Sequence, residues 1–193
     1  VKRIAVFCGS SPGKAPHYAE LARHVGATLA QRGYGLVYGG GRMGLMGAVA
    51  DGALDAGGEV IGVIPKALLD AELAHHGCTE LEIVDTMHER KARFTELSDG
   101  FITLPGGIGT MEELWEVLSW AQIGYHNKPV GLLNARGYFD HLLTLYDHLI
   151  AEGFVRAQHR ELLIHDATLD GLLAKLIAHE PPTPLINIAA MTP

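Results

Sequence analysis

Short apolar runs alternate with segments of helical periodicity along most of the chain, and this alternation limits its fold more than any other feature. The runs at 4–8, 36–38, 60–64, 81–84, 101–104 and 130–133 are bounded by Gly, Pro or polar turn residues, as buried strands are. A shorter candidate lies at 162–164. Between them, 18–32 carries Leu21, Ala22, Val25 and Leu29 at helical spacing, and Gly33 stops that helix. Helices are also predicted over 46–56, 110–124, 138–152 and 169–179. Thr86 and Glu89 fit the S/T-x-x-E capping box and open a helix to about 98. The stretch 65–79 reads as a loop with a helical turn, and 181–193 as an extended tail. Strands alternating with helices imply a parallel sheet covered on both faces. Right-handed crossovers then give an open, doubly wound α/β sheet of six to seven strands. No repeat, low-complexity tract or linker interrupts it, so 1–193 reads as a single domain. In such sheets ligands bind beyond the carboxyl ends of the strands, at the point where strand order reverses.

Composition narrows the partners. Hydrophobic residues make up 48% and charged residues 19%, which excludes a disordered chain. The net charge of −7 disfavours general binding to nucleic acid, while a local basic pocket for one small anion stays open. The two cysteines, Cys8 and Cys78, form no C-x-x-C pair and read as reduced thiols of a cytoplasmic protein. The first apolar stretch is far too short for a signal-peptide core, and no run is long enough to span a bilayer, so no membrane partner is expected. Eleven histidines show no H-E-x-x-H and no cluster at ligand spacing, so no metal is expected. The G-x-S-x-G and Walker A motifs are also absent.

Three glycine-rich or basic segments carry the chemistry. The run from Gly39 to Gly44 satisfies G-x-G-x-x-G, but it follows the second apparent strand, and Glu59 stands at the wrong end of the next strand to reach a ribose. That disfavours a dinucleotide. It leaves either tight turns for helix–sheet packing or a phosphate cradle at a helix N-terminus. Ser10 after the first strand, and Gly40, Gly41 and Gly44 after the second, are the candidate phosphate or nucleotide contacts. Pro105-Gly106-Gly107-Ile108-Gly109-Thr110-Met111-Glu112-Glu113 joins a strand to a helix through a bare backbone. Thr110 and Glu113 have capping-box spacing, which would make the carboxylate structural. Two adjacent carboxylates, however, suit a site that stabilises a cation as well as holding an anion. In Met87-His88-Glu89-Arg90-Lys91, two cations stand early in a helix, where the helix dipole disfavours them unless they meet an anion. A solvated basic face is the plainer alternative.

PGGIGTMEE with an upstream MHERK resembles the LOG family, the cytokinin riboside 5′-monophosphate phosphoribohydrolases, whose members are often labelled lysine decarboxylases. The likeness runs from VFCGSS through GGGRMGLMG and VIPKAL to NKPVGLLN and GYFDHLL. No motif for a pyridoxal cofactor supports the decarboxylase label. The resemblance implies a Rossmann-like fold, a homodimer, and hydrolysis of the N-glycosidic bond of a purine nucleoside 5′-monophosphate, AMP or an N6-substituted relative, without metal or organic cofactor. It makes Arg90 and Glu113 the catalytic pair. It gives Lys91 and the loop Gly106, Gly107, Ile108, Gly109 and Thr110 to the phosphate and ribose. Glu72 and Met87 contact substrate, and so does Ser119, where many relatives have Thr. The broad apolar circumference of the helix at 110–124 fits either a thick core or a two-fold interface, and a homodimer through it is expected. A non-catalytic nucleotide or molybdenum-cofactor carrier, similar in fold and glycine loops, is the alternative.

Overall fold

A computed structural model of the chain describes residues 2–69 and 74–186. The chain forms two compact units, Val1–Glu113 and Leu114–Pro193. In the first unit the elements are β1 (Arg3–Phe7), α1 (His17–Gln31), β2 (Gly35–Tyr38), α2 (Gly44–Asp55), β3 (Val60–Pro65), β4 (Glu80–Val84), α3 (Met87–Leu97) and β5 (Gly100–Thr103). Helix α4 (Ile108–Ile123) runs from the first unit into the second. The second unit adds β6 (Val130–Leu133), α5 (Asp140–Ala151), β7 (Leu163–Asp166) and α6 (Leu169–Ile177). The short apolar runs are strands within a residue or two of their expected bounds, and the shortest candidate is β7. A single 3₁₀ turn at Lys66–Leu68 follows β3, where a loop with a helical turn was expected. Residues 181–186 carry no regular element, and the rest of the expected tail lies outside the described residues.

The strands of the first unit lie in the order β4-β3-β2-β1-β5, each pair parallel. The chain therefore steps outward from β1 through β2 and β3 to β4, then crosses back to place β5 on the other side of β1. Right-handed crossovers in opposite directions put α1 and α2 on one face and α3 on the other. This is the doubly wound α/β arrangement, with its switch point between β1 and β5. In the second unit β6 and β7 are parallel neighbours joined through α5.

Burial follows the apolar pattern. Every residue of β2, β3 and β5 is buried, as the strands of a sheet covered on both faces must be. Phe7 of β1 stacks on Phe101 of β5 at 5.8 Å between centroids, and Phe94 of α3 meets it edge-on at 5.7 Å. The Thr86–Glu89 capping box is present in both directions and fixes where α3 begins. Asp85 and Thr86 N–H groups both donate to the Glu89 carboxylate.

Gly44 opens α2 with φ +61°, a conformation that costs other residues strain. A side chain there would also run into the Ser10 carbonyl and stand 2.6 Å from Ser11 N. Glycine at this position therefore sets how closely the loop after β1 approaches α2. Gly44→Ala is expected to lower stability by about 1–3 kcal/mol, read as a lower denaturant midpoint with an unchanged slope.

Candidate active site

Three strand-to-helix loops converge at the switch point. Gly9, just past β1, donates its N–H to the Pro105 carbonyl after β5 at 3.1 Å. Its own carbonyl accepts from the N–H groups of Leu45 (2.9 Å) and Met46 (3.3 Å) in the first turn of α2. Backbone bonds alone thus tie the loops together, so their relative positions do not depend on long side chains. At Gly106 there is no room for a side chain, because a Cβ would meet Thr110 and lie 2.9 Å from Gly9 N. Gly107 and Gly109 face open space instead, leaving bare backbone towards a ligand.

A cleft of about 180 Å³ opens at this junction, lined by Cys8, Gly9, Ser10, Met46, Arg90, Gly107, Ile108, Gly109, Thr110 and Glu113. A larger hollow of about 720 Å³ lies at the start of the strands, around Arg3, Gly35, Glu59 and Asp99. There Arg3 already pairs with Glu59 at 2.8 Å, and Asp99 accepts from the Lys2 and Arg3 N–H groups. Chemistry rather than size singles out the smaller cleft.

Arg90 stands in the second turn of α3 and is 5% exposed. Its Nε donates to the Val63 carbonyl at 3.1 Å and its Nη2 to the Gly39 carbonyl at 2.8 Å. The guanidinium lies 5.6 Å from the Phe94 ring centroid, and Nη1 is 3.9 Å from Met87 Sδ. A carbonyl just past β2 and one within β3 thus fix the plane of a fork that recognises oxyanions in pairs. This cation is no part of a solvated basic face. Lys91 is also largely covered, and its Nζ lies 2.7 Å from Glu112 Oε1. The two adjacent carboxylates therefore divide their work: Glu112 pairs with Lys91, and Glu113 lines the cleft.

The start of α4 decides the role of Glu113. The Met111 N–H donates to the Gly107 carbonyl at 3.1 Å, which makes Gly107 the N-cap residue. Thr110 is therefore inside the first turn, buried, and cannot be the cap that Glu113 would complete. The capping-box reading of this pair fails for that reason. The N–H groups of Ile108, Gly109 and Thr110 belong to the first turn, whose donors have no partner within a helix, and all three residues line the cleft. Burial, and then the charge of Glu113, pushes the Cys8 thiol above its ordinary range. Both residues line the one cleft, at the end of β1.

The structure brings together Ser10, Arg90, Gly107, Ile108, Gly109, Thr110 and Glu113 of the expected set. Met87 touches Arg90, Lys91 holds Glu112, and Gly106 and Gly44 shape the loops rather than line the cleft. Gly40 and Gly41 are buried in the turn after β2, where Gly39 supplies its carbonyl to Arg90. Ser119 is exposed on the part of α4 that belongs to the second unit, and Glu72 lies outside the described residues. Cys8, Gly9 and Met46 line the cleft without having been expected. Their signal was position, since Cys8 and Gly9 follow directly on β1 at the switch point. Among the described residues, no group of three or more His, Cys, Asp or Glu side chains could hold a metal ion, and no helix is long and apolar enough to cross a membrane.

A doubly wound α/β protein with a charged cleft at its switch point is the class that fold and site define. The family model described as possible lysine decarboxylase matches residues 46–176. The probable cytokinin riboside 5′-monophosphate phosphoribohydrolase LOGL1 of Oryza sativa subsp. japonica is 51% identical over 174 residues, covering 90% of this chain and 78% of that protein. The cytokinin riboside 5′-monophosphate phosphoribohydrolase of Rhodococcoides fascians is 47% identical, covering 91% and 89%. The chain belongs to this LOG family. Among solved structures, the molybdenum cofactor carrier protein of Chlamydomonas reinhardtii superposes with a TM-score of 0.68 at 23% identity, covering 92% of this chain and 99% of that one. That likeness shows a shared fold.

The sign of the Cys8 shift gives a direct check on Glu113. A neighbouring carboxylate disfavours the thiolate, so Glu113→Gln is expected to lower the thiol pKa. At a fixed pH near 8, iodoacetamide should then alkylate Cys8 faster in the variant than in the native protein, measured by peptide mass spectrometry.

Proposed function

We propose that the chain hydrolyses the N-glycosidic bond of purine nucleoside 5′-monophosphates, AMP or adenine nucleotides bearing an N6 substituent, to the free base and ribose 5-phosphate. The observation that carries this reading is that Arg90 and Glu113 line one cleft together with the first turn of α4. Relatives 47–51% identical and named for this activity support it.

The reaction breaks the bond between C1′ and the base nitrogen and forms one between C1′ and the oxygen of water. As the base leaves, positive charge builds on the ribose in an oxocarbenium-like state. Glu113 faces that charge, stabilises it, and takes the proton of the attacking water. The departing base gains a proton, so the balance closes with water as the only co-reactant. The N–H groups at the start of α4 hold the 5′-phosphate, with Ser10 alongside. Binding energy from this remote group orients the sugar for attack. Arg90 binds phosphate or ribose hydroxyls. Lys91 acts by holding Glu112, which keeps that second carboxylate from competing for the phosphate site. Glu72, Met87 and Ser119 complete the substrate contacts in this reading, and no metal or organic cofactor enters it.

Incubation with AMP and N6-isopentenyl-AMP is expected to release free base, resolved by chromatography. Glu113→Gln should lower turnover by about 10²–10³, with a smaller change in nucleotide affinity. Stoichiometric retention of nucleotide with no product from any monophosphate would point to a carrier and overturn the hydrolase.

The same reading makes the protein a cytoplasmic homodimer. Two free thiols support the compartment. Half-buried Trp115, Trp120 and Ile123 on α4, followed by an exposed Tyr125, support a two-fold contact along that helix. Sedimentation equilibrium is expected to give twice the chain mass of 20.7 kDa, and Trp120→Glu to shift it towards the single-chain value.

A further inference from the structure

The buried imidazole of His75 has no part in the reaction, yet it joins three segments around the turn after β2. His75 is 8% exposed. Its backbone N–H donates to the Gly40 carbonyl at 2.9 Å, beside an antiparallel bridge between Gly41 and Ala74. Its Nδ1 accepts from the Gly77 N–H at 3.1 Å. The ring proton is therefore assigned to Nε2, which donates to Asp51 Oδ1 on α2 at 3.0 Å. With both nitrogens engaged, the imidazole has a single tautomer and a single orientation.

The turn it holds is the one that grips Arg90. Gly39, one residue before Gly40, gives its carbonyl to Arg90 Nη2. Three consecutive glycines have no side chains to fix their own backbone, and Gly40 stands at φ +74°. From the sheet side Gly62 packs so closely that a Cβ there would lie 2.8 Å from Gly40 Cα. From the other side the turn is braced by residues 74 and 75, and the ring of His75 locks that brace to α2.

We infer that His75, clamped between Asp51 and Gly77, is a positioning residue that holds the Gly39–Gly41 turn and through it the guanidinium of Arg90. Its kinetic consequence rests on the function proposed above, whereas its structural consequence does not. The direct test is exchange of the Arg90 Nη protons, one of which meets the Gly39 carbonyl, with water, followed by ¹⁵N NMR on the full chain and assigned by their loss in Arg90→Lys. In His75→Ala this exchange is expected to speed up about tenfold or more while the β5 amides keep their protection. Asp51→Ala removes a half-exposed partner without emptying a buried site, and it carries the test should His75→Ala fail to fold. Unchanged Arg90 exchange in the folded variants overturns the proposal. In the assay with AMP, His75→Ala is expected to lower kcat/KM about tenfold in the native background and hardly at all in Arg90→Lys. Equal losses in both backgrounds overturn the positioning role. Failure of the native protein to release base overturns the hydrolase instead, and the exchange measurement still decides the positioning claim.

Discussion

A guanidinium taken out of water sets the terms for the rest of this site. Removing a charge from solvent costs several kcal/mol unless its hydrogen-bonding groups are met. Arg90 is met by the carbonyls of Gly39, just past β2, and of Val63 within β3. Gly39 and Val63 each follow directly on the last paired residues of the β2–β3 ladder, Tyr38 and Gly62. The sheet thus supplies a rigid cradle for a cation, and the cation is aimed before any ligand arrives. Such preorganisation is what makes charged groups effective in catalysis, since no reorganisation is needed as the reaction proceeds.

The second constraint is close backbone approach. The carbonyl of Gly9 receives the start of α2, and its N–H reaches the loop after β5. Gly44 and Gly106 stand where any side chain would break these contacts. The glycine-rich character of the motifs therefore has two physical origins. Some glycines let loops touch one another, and others, Gly107 and Gly109, leave a helix start uncovered. The sequence presents both kinds with the same letter.

Much of the fold was legible because period and punctuation agree along the chain. Buried strands such as Val60–Pro65 are unbroken apolar runs, and the Thr86–Glu89 box marks a helix start that the structure reproduces. The start of α4 was less legible. Gly-Gly-Ile-Gly offers no capping side chain, so Thr110 looked like the first plausible cap, whereas Gly107 fills that position through its carbonyl alone. Lys91 is assigned to the phosphate and ribose by resemblance alone, and its pairing with Glu112, twenty-one residues along the chain, had no signal in the sequence. Pairings over such separations leave no local trace. Cys8 and Met46 entered the cleft for the same reason, since their exposure to it depends on how three loops meet.

The sequence by itself determined the class of fold and the strand ends at which chemistry would gather. These follow from local rules, in which hydrophobic period chooses the element and glycine chooses the turn. Only the tertiary structure decided which of two neighbouring glutamates faces the cleft, which of two neighbouring cations is buried behind it, and that a histidine in the segment after β3 braces the turn that holds Arg90. Those outcomes depend on side chains meeting across tens of residues, where the deciding quantity is the desolvation of a charge against whatever acceptors the folded backbone happens to present.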